Sequence, residues 1–123
     1  MSLPATHHYI DAFMAAVPTT KQEAYCQHAT QMAPLYKQHG ALQVVSCWGE
    51  GGDDLPEGKL TSMPMAVQCQ ADEAVVFSWV VWPSKASRDA GWAAIMADPR
   101  TPKDMPFDGK RLIHGGFVPL LVD

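Results

Sequence analysis

The sequence predicts an α+β fold in which the elements follow the order β-α-β-β-α-β and two helices cover one face of an antiparallel sheet. Three observations carry this reading. The run Ala74-Val75-Val76-Phe77-Ser78-Trp79-Val80-Val81-Trp82 is apolar on both parities, with Ser78 its one polar interruption, as a strand covered on both faces requires. Two stretches, 20–39 and 84–98, carry helical spacing between recognisable ends. Shorter apolar segments bounded by Pro and Gly lie before, between and after them. A chain of 123 residues fits a single domain, 1–123, with a sizeable core. Two helices cover one face of a small sheet and leave the other open, so a second copy is the simplest cover, a homodimer through the open sheet face.

The first strand is expected over 7–17, through Tyr9, Ile10, Phe13, Met14 and Val17, ending at Pro18. Thr20-Lys21-Gln22-Glu23 reads as a capping box at the start of a helix that runs to about His39. Tyr25, Ala29, Met32 and Tyr36 fall on one face of it, Gly40 supplies the stop, and Pro34 predicts a kink or short break. A second strand spans 41–48. Residues 49–64, rich in Gly and Pro with Asp53-Asp54, read as a long mobile loop, either a lid or an inert insertion, and pairing resumes over 65–70. The doubly apolar strand ends at Pro83, and Ser84 is the N-cap of the second helix. Ala86, Ala90, Ala93 and Ala97 form a stripe on that helix suited to close packing on a sheet, with Trp92 and Met96 beside it; Asp98-Pro99 ends it. A proline-rich connection leads to the Asp108-Gly109 turn. The last strand, 112–122, contains Gly115-Gly116, which implies a bulge or a close backbone approach. This order is the ferredoxin-like arrangement.

Hydrophobic residues make up 47% of the chain and charged residues 18%, an ordinary globular composition. A net charge of −4 with one adjacent basic pair, Lys110-Arg111, argues against nucleic-acid binding. The N-terminus lacks a signal-peptide pattern and the apolar strands are too short to span a bilayer, so no membrane association and a cytoplasmic location are expected. Three cysteines, Cys26, Cys47 and Cys69, without C-x-x-C spacing suit free thiols in a reducing compartment.

Several segments carry a resemblance: Gly40-Ala41-Leu42, Cys47-Trp48-Gly49, Pro56-Glu57-Gly58-Lys59, Val76-Phe77-Ser78-Trp79, Trp82-Pro83-Ser84-Lys85, Met96-Ala97-Asp98-Pro99-Arg100, Met105-Pro106-Phe107-Asp108-Gly109-Lys110-Arg111 and Gly115-Gly116-Phe117. In this order they resemble the YbaA-like family of small bacterial proteins of unknown function, over most of the chain after the first strand. The resemblance implies a ferredoxin-like fold of the dimeric α/β barrel type and no established activity. It also implies that the position of His114 is often tyrosine, so a role resting on that imidazole would not belong to the whole family.

No phosphate-cradling loop, nucleophile elbow, metal-spaced cluster or haem-ligand pattern is present, so no metal and no cofactor is expected. The candidate catalytic residues are His114, beside two glycines where a backbone can approach a ligand, and Asp11, set among apolar neighbours. Each has a plainer reading: His114 as a hydrogen-bonded core or interface histidine, and Asp11, rather than a buried carboxyl with a raised pKa, as half of a dimer salt bridge with Arg88, Lys110 or Arg111. Trp48, Trp79, Trp82 and Trp92 can line a flat apolar pocket, with Trp48, Ser78, Trp79 and Trp82 the candidate ligand-binding residues, or else they are core and interface packing. Arg111 next to a turn can clamp an anion, or simply sit on the surface. These residues point to binding of a small apolar or aromatic molecule in a cavity between sheet and helices. A cofactor-independent monooxygenase or isomerase is the enzymatic form of that reading, by analogy of fold. A non-catalytic dimeric interaction or structural module is the alternative.

Overall fold

The computed structural model describes residues 4–50 and 58–123. Four strands, β1 (Tyr9–Pro18), β2 (Gln43–Trp48), β3 (Glu73–Trp82) and β4 (Ile113–Phe117), form one sheet in the order β2-β3-β1-β4, with every neighbouring pair antiparallel. Helix α1 (Gln22–Gln38) connects β1 to β2, a single turn α2 (Met63–Ala66) lies between β2 and β3, and α3 (Lys85–Ala97) follows β3. The two apolar, β-branched strands β1 and β3 occupy the centre, where both edges and both faces need cover. This is the expected ferredoxin-like α+β architecture.

Register divides the sheet into two faces. Asp11, Phe13 and Ala15 of β1 share one face with Val76, Ser78, Val80 and Trp82 of β3 and Val44 and Ser46 of β2, because Phe13 pairs with Ser78 and Ser78 with Ser46. The helices pack on this face. Tyr36 of α1 and Trp92 of α3 join the cluster around Val80, Trp82 and Ile95, and Tyr25 joins Ala15, Val17 and Val76. The opposite face carries Ile10, Met14, Val45, Phe77, Trp79, Val81 and Ile113 by the same register.

Local chemistry departs from the sequence reading at five places. The capping box does not form: β1 hands over to a 3₁₀ turn, Thr19–Lys21, and α1 begins at Gln22 without a side-chain cap. The Thr19 N–H is committed to the Asp72 carbonyl at 2.8 Å, which draws Thr20 into the entry turn. Helix α1 runs through Pro34 unbroken and stops at Gly40, whose φ of +111° only glycine adopts freely. The segment 65–70 does not pair. Ser62 caps α2 by accepting the Met65 N–H at 3.2 Å, with Pro64 in its first turn, so capping outweighs apolar alternation there. The alanine stripe of α3 faces outward, since Ala86, Ala90, Ala93 and Ala97 are exposed while Gly91 and Ile95 are buried. Alanine serves helix propensity at those sites rather than packing. Finally, β4 ends at Phe117, because its only partner β1 begins at Tyr9 and the Ile10–Phe117 pair is the last.

Gly115 and Gly116 keep regular register, so there is no bulge; Gly116 instead admits the Tyr9 side chain over its Cα. Of the predicted loop over 49–64, residues 51–57 lie outside those described, and its end enters α2 at Met63.

Gly91 marks the tightest helix–sheet approach, where an added Cβ would meet the Trp82 ring and the His39 carbonyl. Gly91→Ala is therefore expected to lower unfolding free energy by about 1–3 kcal/mol through overpacking. Gly109→Ala, where a Cβ meets nothing within 4 Å, should change it by less than about 0.5 kcal/mol. Urea denaturation of both variants checks the contrast.

Candidate functional site

Two structural features lie on the helix-covered face. The first is a buried carboxylate. Asp11 is fully buried in β1, opposite Val80 on one side and Gly116 on the other. Its Oδ2 accepts the indole N–H of Trp82 and that of Trp92, each at 3.0 Å. The Arg88 guanidinium reaches both oxygens, Nε at 3.1 Å from each and Nη2 at 3.1 Å from Oδ1. His114 Nε2 stands 2.9 Å from Oδ1. Burial pushes the carboxyl pKa up, yet the hydrogen bonds from Arg88, His114 and Trp92 outweigh it and hold the group below its ordinary value. Asp11 is thus ionised and saturated with donors, a charge that the interior tolerates because every lone pair is used. The Arg88 guanidinium also lies over the Tyr9 ring, 5.3 Å from its centroid.

The second feature is a cavity of about 180 Å³ between α1, α3, the 101–107 connection and the sheet, partly open to solvent beside the exposed Met96 and Met105. Its aromatic end is formed by Tyr36 and Trp92, whose rings meet edge to face at 5.6 Å, with Phe13 packed against Trp92 at 6.0 Å. Its polar end lies at the N-terminal half of α1, where Tyr25 and His28 stand three residues apart on one helical face. The Tyr25 phenol is in polar contact with Ser46 and Ser78, and burial raises its pKa so that the hydroxyl stays protonated. His28 sits edge-on to Phe107 at 6.3 Å and burial lowers its pKa, which favours the neutral ring. Among the described residues, no charged Lys, Arg, Asp or Glu side chain lines the space.

The candidates from the sequence distribute unevenly over these features. Asp11 and His114 come together as a hydrogen-bonded pair, with the His114 side chain 37% exposed and its ring 4.9 Å from Phe13; neither lines the cavity. The cation that meets Asp11 is Arg88 of the same chain rather than Lys110 or Arg111. Ser78 lines the cavity. Trp48 stands behind Tyr25 at 6.1 Å, Trp82 is buried against Asp11, and Trp79 lies on the opposite face beside Phe77. Arg111 does not present a free cation: it forks onto Glu73 at 2.7 and 2.8 Å and reaches Asp108 at 3.2 Å. Phe13, Tyr25, His28, Tyr36 and Ser46 were missed as site residues. The helical spacing from Tyr25 to His28 and the strand parity of Ser46 were the signals available.

The family model "Protein of unknown function (DUF1428)" matches residues 8–109, and the chain belongs to this family. It is similar to "Uncharacterized protein YbaA" of Escherichia coli strain K12 and to the protein of the same description in Shigella flexneri, each 47% identical over 116 residues, covering 92% of this chain and 97% of the relative.

Two outcomes follow from these charges. Asp11→Asn sets amide hydrogens against indole and guanidinium donors and leaves Arg88 without its main counter-charge, so about 3 kcal/mol of stability should be lost, read by urea denaturation. Glu73 is held down to about 2 by the Arg111 fork and the Gln70 N–H, from an ordinary 4.5. A carboxyl with a depressed folded-state pKa stabilises the fold above its unfolded pKa, and that stability disappears as pH falls through the folded value. Unfolding free energy should therefore decline from about pH 4.5 towards pH 2. Glu73→Gln should be less stable at pH 7 and show a shallower decline over that window.

Proposed function

We propose that this chain is a small-molecule-binding protein whose ligand, small and apolar or aromatic, occupies the cavity between α1, α3 and the sheet, and that it works as a cytoplasmic homodimer. The observation that carries the reading is the cavity itself: about 180 Å³ of space at the place where a ferredoxin-like fold should be most tightly packed, walled by aromatic and aliphatic groups with a few convergent hydroxyls. The three free thiols suit a reducing compartment. Among the described residues, no helix is long and apolar enough to cross a membrane.

A cofactor-independent monooxygenase or isomerase would be the enzymatic form of this reading. In it Asp11 and His114 would serve as a proton-transfer pair acting from beyond Phe13. The saturation of Asp11 by four donor side chains, and the position of both residues outside the cavity lining, favour binding without turnover.

A second reading, the dimeric interaction module, draws on the opposite sheet face. That face is apolar from Val45 through Trp79 and Met14 to Ile113 by register. Beyond β4 the chain runs into a C-terminal segment in which Leu120 is 95% and Leu121 82% exposed. A second copy of the chain is the occupant that covers both face and segment with matching chemistry.

A panel of one- and two-ring aromatic compounds screened by thermal shift tests the binding reading. Wild-type protein should be stabilised by a subset of them, by about 2.7 kcal/mol at a hundredfold excess over Kd. Ala29→Phe, which places a ring in the cavity, should abolish the response while keeping the far-UV circular dichroism. No stabilisation by any compound, or an unchanged response in the filled variant, would overturn it. Sedimentation equilibrium should give a dimer for the wild type and a monomer for Trp79→Glu; a wild-type monomer would remove the homodimer.

A further inference from the structure

The lining of the cavity restricts what it can hold. Resting on the binding reading above, size comes first: an apolar cavity of about 150 Å³ is enough for benzene, so 180 Å³ accommodates one aromatic ring with a small substituent. Charge comes second. A carboxylate or ammonium seated among the aromatic rings would find no counter-ion among the described lining side chains, and its desolvation there disfavours it. Hydrogen bonding comes third. The Tyr25 phenol has the Ser46 and Ser78 hydroxyls beside it, whereas His28 makes no hydrogen bond to any described residue. A neutral imidazole carries one N–H and one lone pair, and Phe107 stands edge-on to it with 6.3 Å between ring centroids. His28 is thus a half-buried polar group that lines this space without a hydrogen bond to any described residue, and Tyr36, Trp92 and Phe13 line the same space.

We propose that the cavity selects an uncharged, single-ring aromatic molecule bearing a hydroxyl, with the ring against Phe13, Tyr36 and Trp92 and the hydroxyl donating to the free ring nitrogen of His28. The arrangement excludes two near neighbours of such a ligand for different reasons. An aryl methyl ether fits the volume and lacks the donor. An aryl carboxylate offers an acceptor and brings a charge that the lining does not neutralise.

Phenol, anisole and benzoate titrated separately into the full-length protein, followed by nuclear magnetic resonance of the His28 ring nitrogens and the Met32 methyl group, test this. Phenol should shift both signals. Anisole should shift Met32 with about tenfold weaker affinity, the worth of one buried hydrogen bond, and benzoate should shift neither. His28→Phe should bind phenol and anisole equally, and His28→Gln, which retains an acceptor, should restore the preference for phenol. Equal affinity of phenol and anisole for the wild type, or binding of benzoate in the cavity, would overturn the selection by His28 while leaving the cavity reading intact. Failure of all three to move the Met32 methyl would overturn both.

Discussion

One buried carboxylate organises this fold. Asp11 in a central strand gathers donors from β3, α3 and β4, through Trp82, Arg88 with Trp92, and His114. Each element alone has a modest apolar surface; the shared anion sets how far α3 slides along the sheet and which way its two polar-tipped side chains turn. Net gain from a buried ion pair is small on its own, because desolvation offsets the attraction. Its effect here is to make one arrangement right, since any displacement of α3 would strand a charge in the interior. The tight passage of Trp82 past Gly91 belongs to the same arrangement, because the indole that feeds Asp11 must pass beneath the helix where no side chain stands.

The cavity is a consequence of that geometry. Trp82 and Trp92 are drawn toward Asp11, and Leu112 and Phe107 close the opposite side. Between them the facing residues are small: Ser46 and Ser78 on the sheet, Ala15 on β1, Ala29 on α1. Large groups at both ends hold helices and sheet apart while small ones in the middle leave the gap unfilled. The vacancy therefore follows from side-chain choice rather than loose packing, which gives a binding role physical content. The hydroxyls gather at one end because residues paired across strands share a face, Ser46 with Ser78 and Ser78 with Phe13.

Much of the architecture was legible because its signals are local. Ser84, Pro83 and Gly40 mark ends that the chain obeys, and the doubly apolar run over 74–82 is the central strand β3, one residue longer at its start. Tyr25, Ala29, Met32 and Tyr36 do share the inward face of α1. Where the reading missed, a local pattern was ambiguous or a distant partner decided. Alanine is apolar enough to suggest burial and small enough for solvent, so the α3 stripe could be assigned to the wrong face. Thr20 lost its capping role to a hydrogen bond made with Asp72 by its neighbour Thr19. The apolar neighbours of Asp11 signalled its burial, but its donors sit 71, 77, 81 and 103 residues away. Which of them would converge depends on register that no local pattern encodes.

The most direct test of this account is diffraction from crystals held under xenon pressure, because xenon enters preformed apolar space without needing any polar contact. The account expects a xenon site between Phe13, Met32 and Trp92, beside an undisturbed Asp11 cluster. Crystals that take up xenon elsewhere and show this region closed by side chains would contradict it.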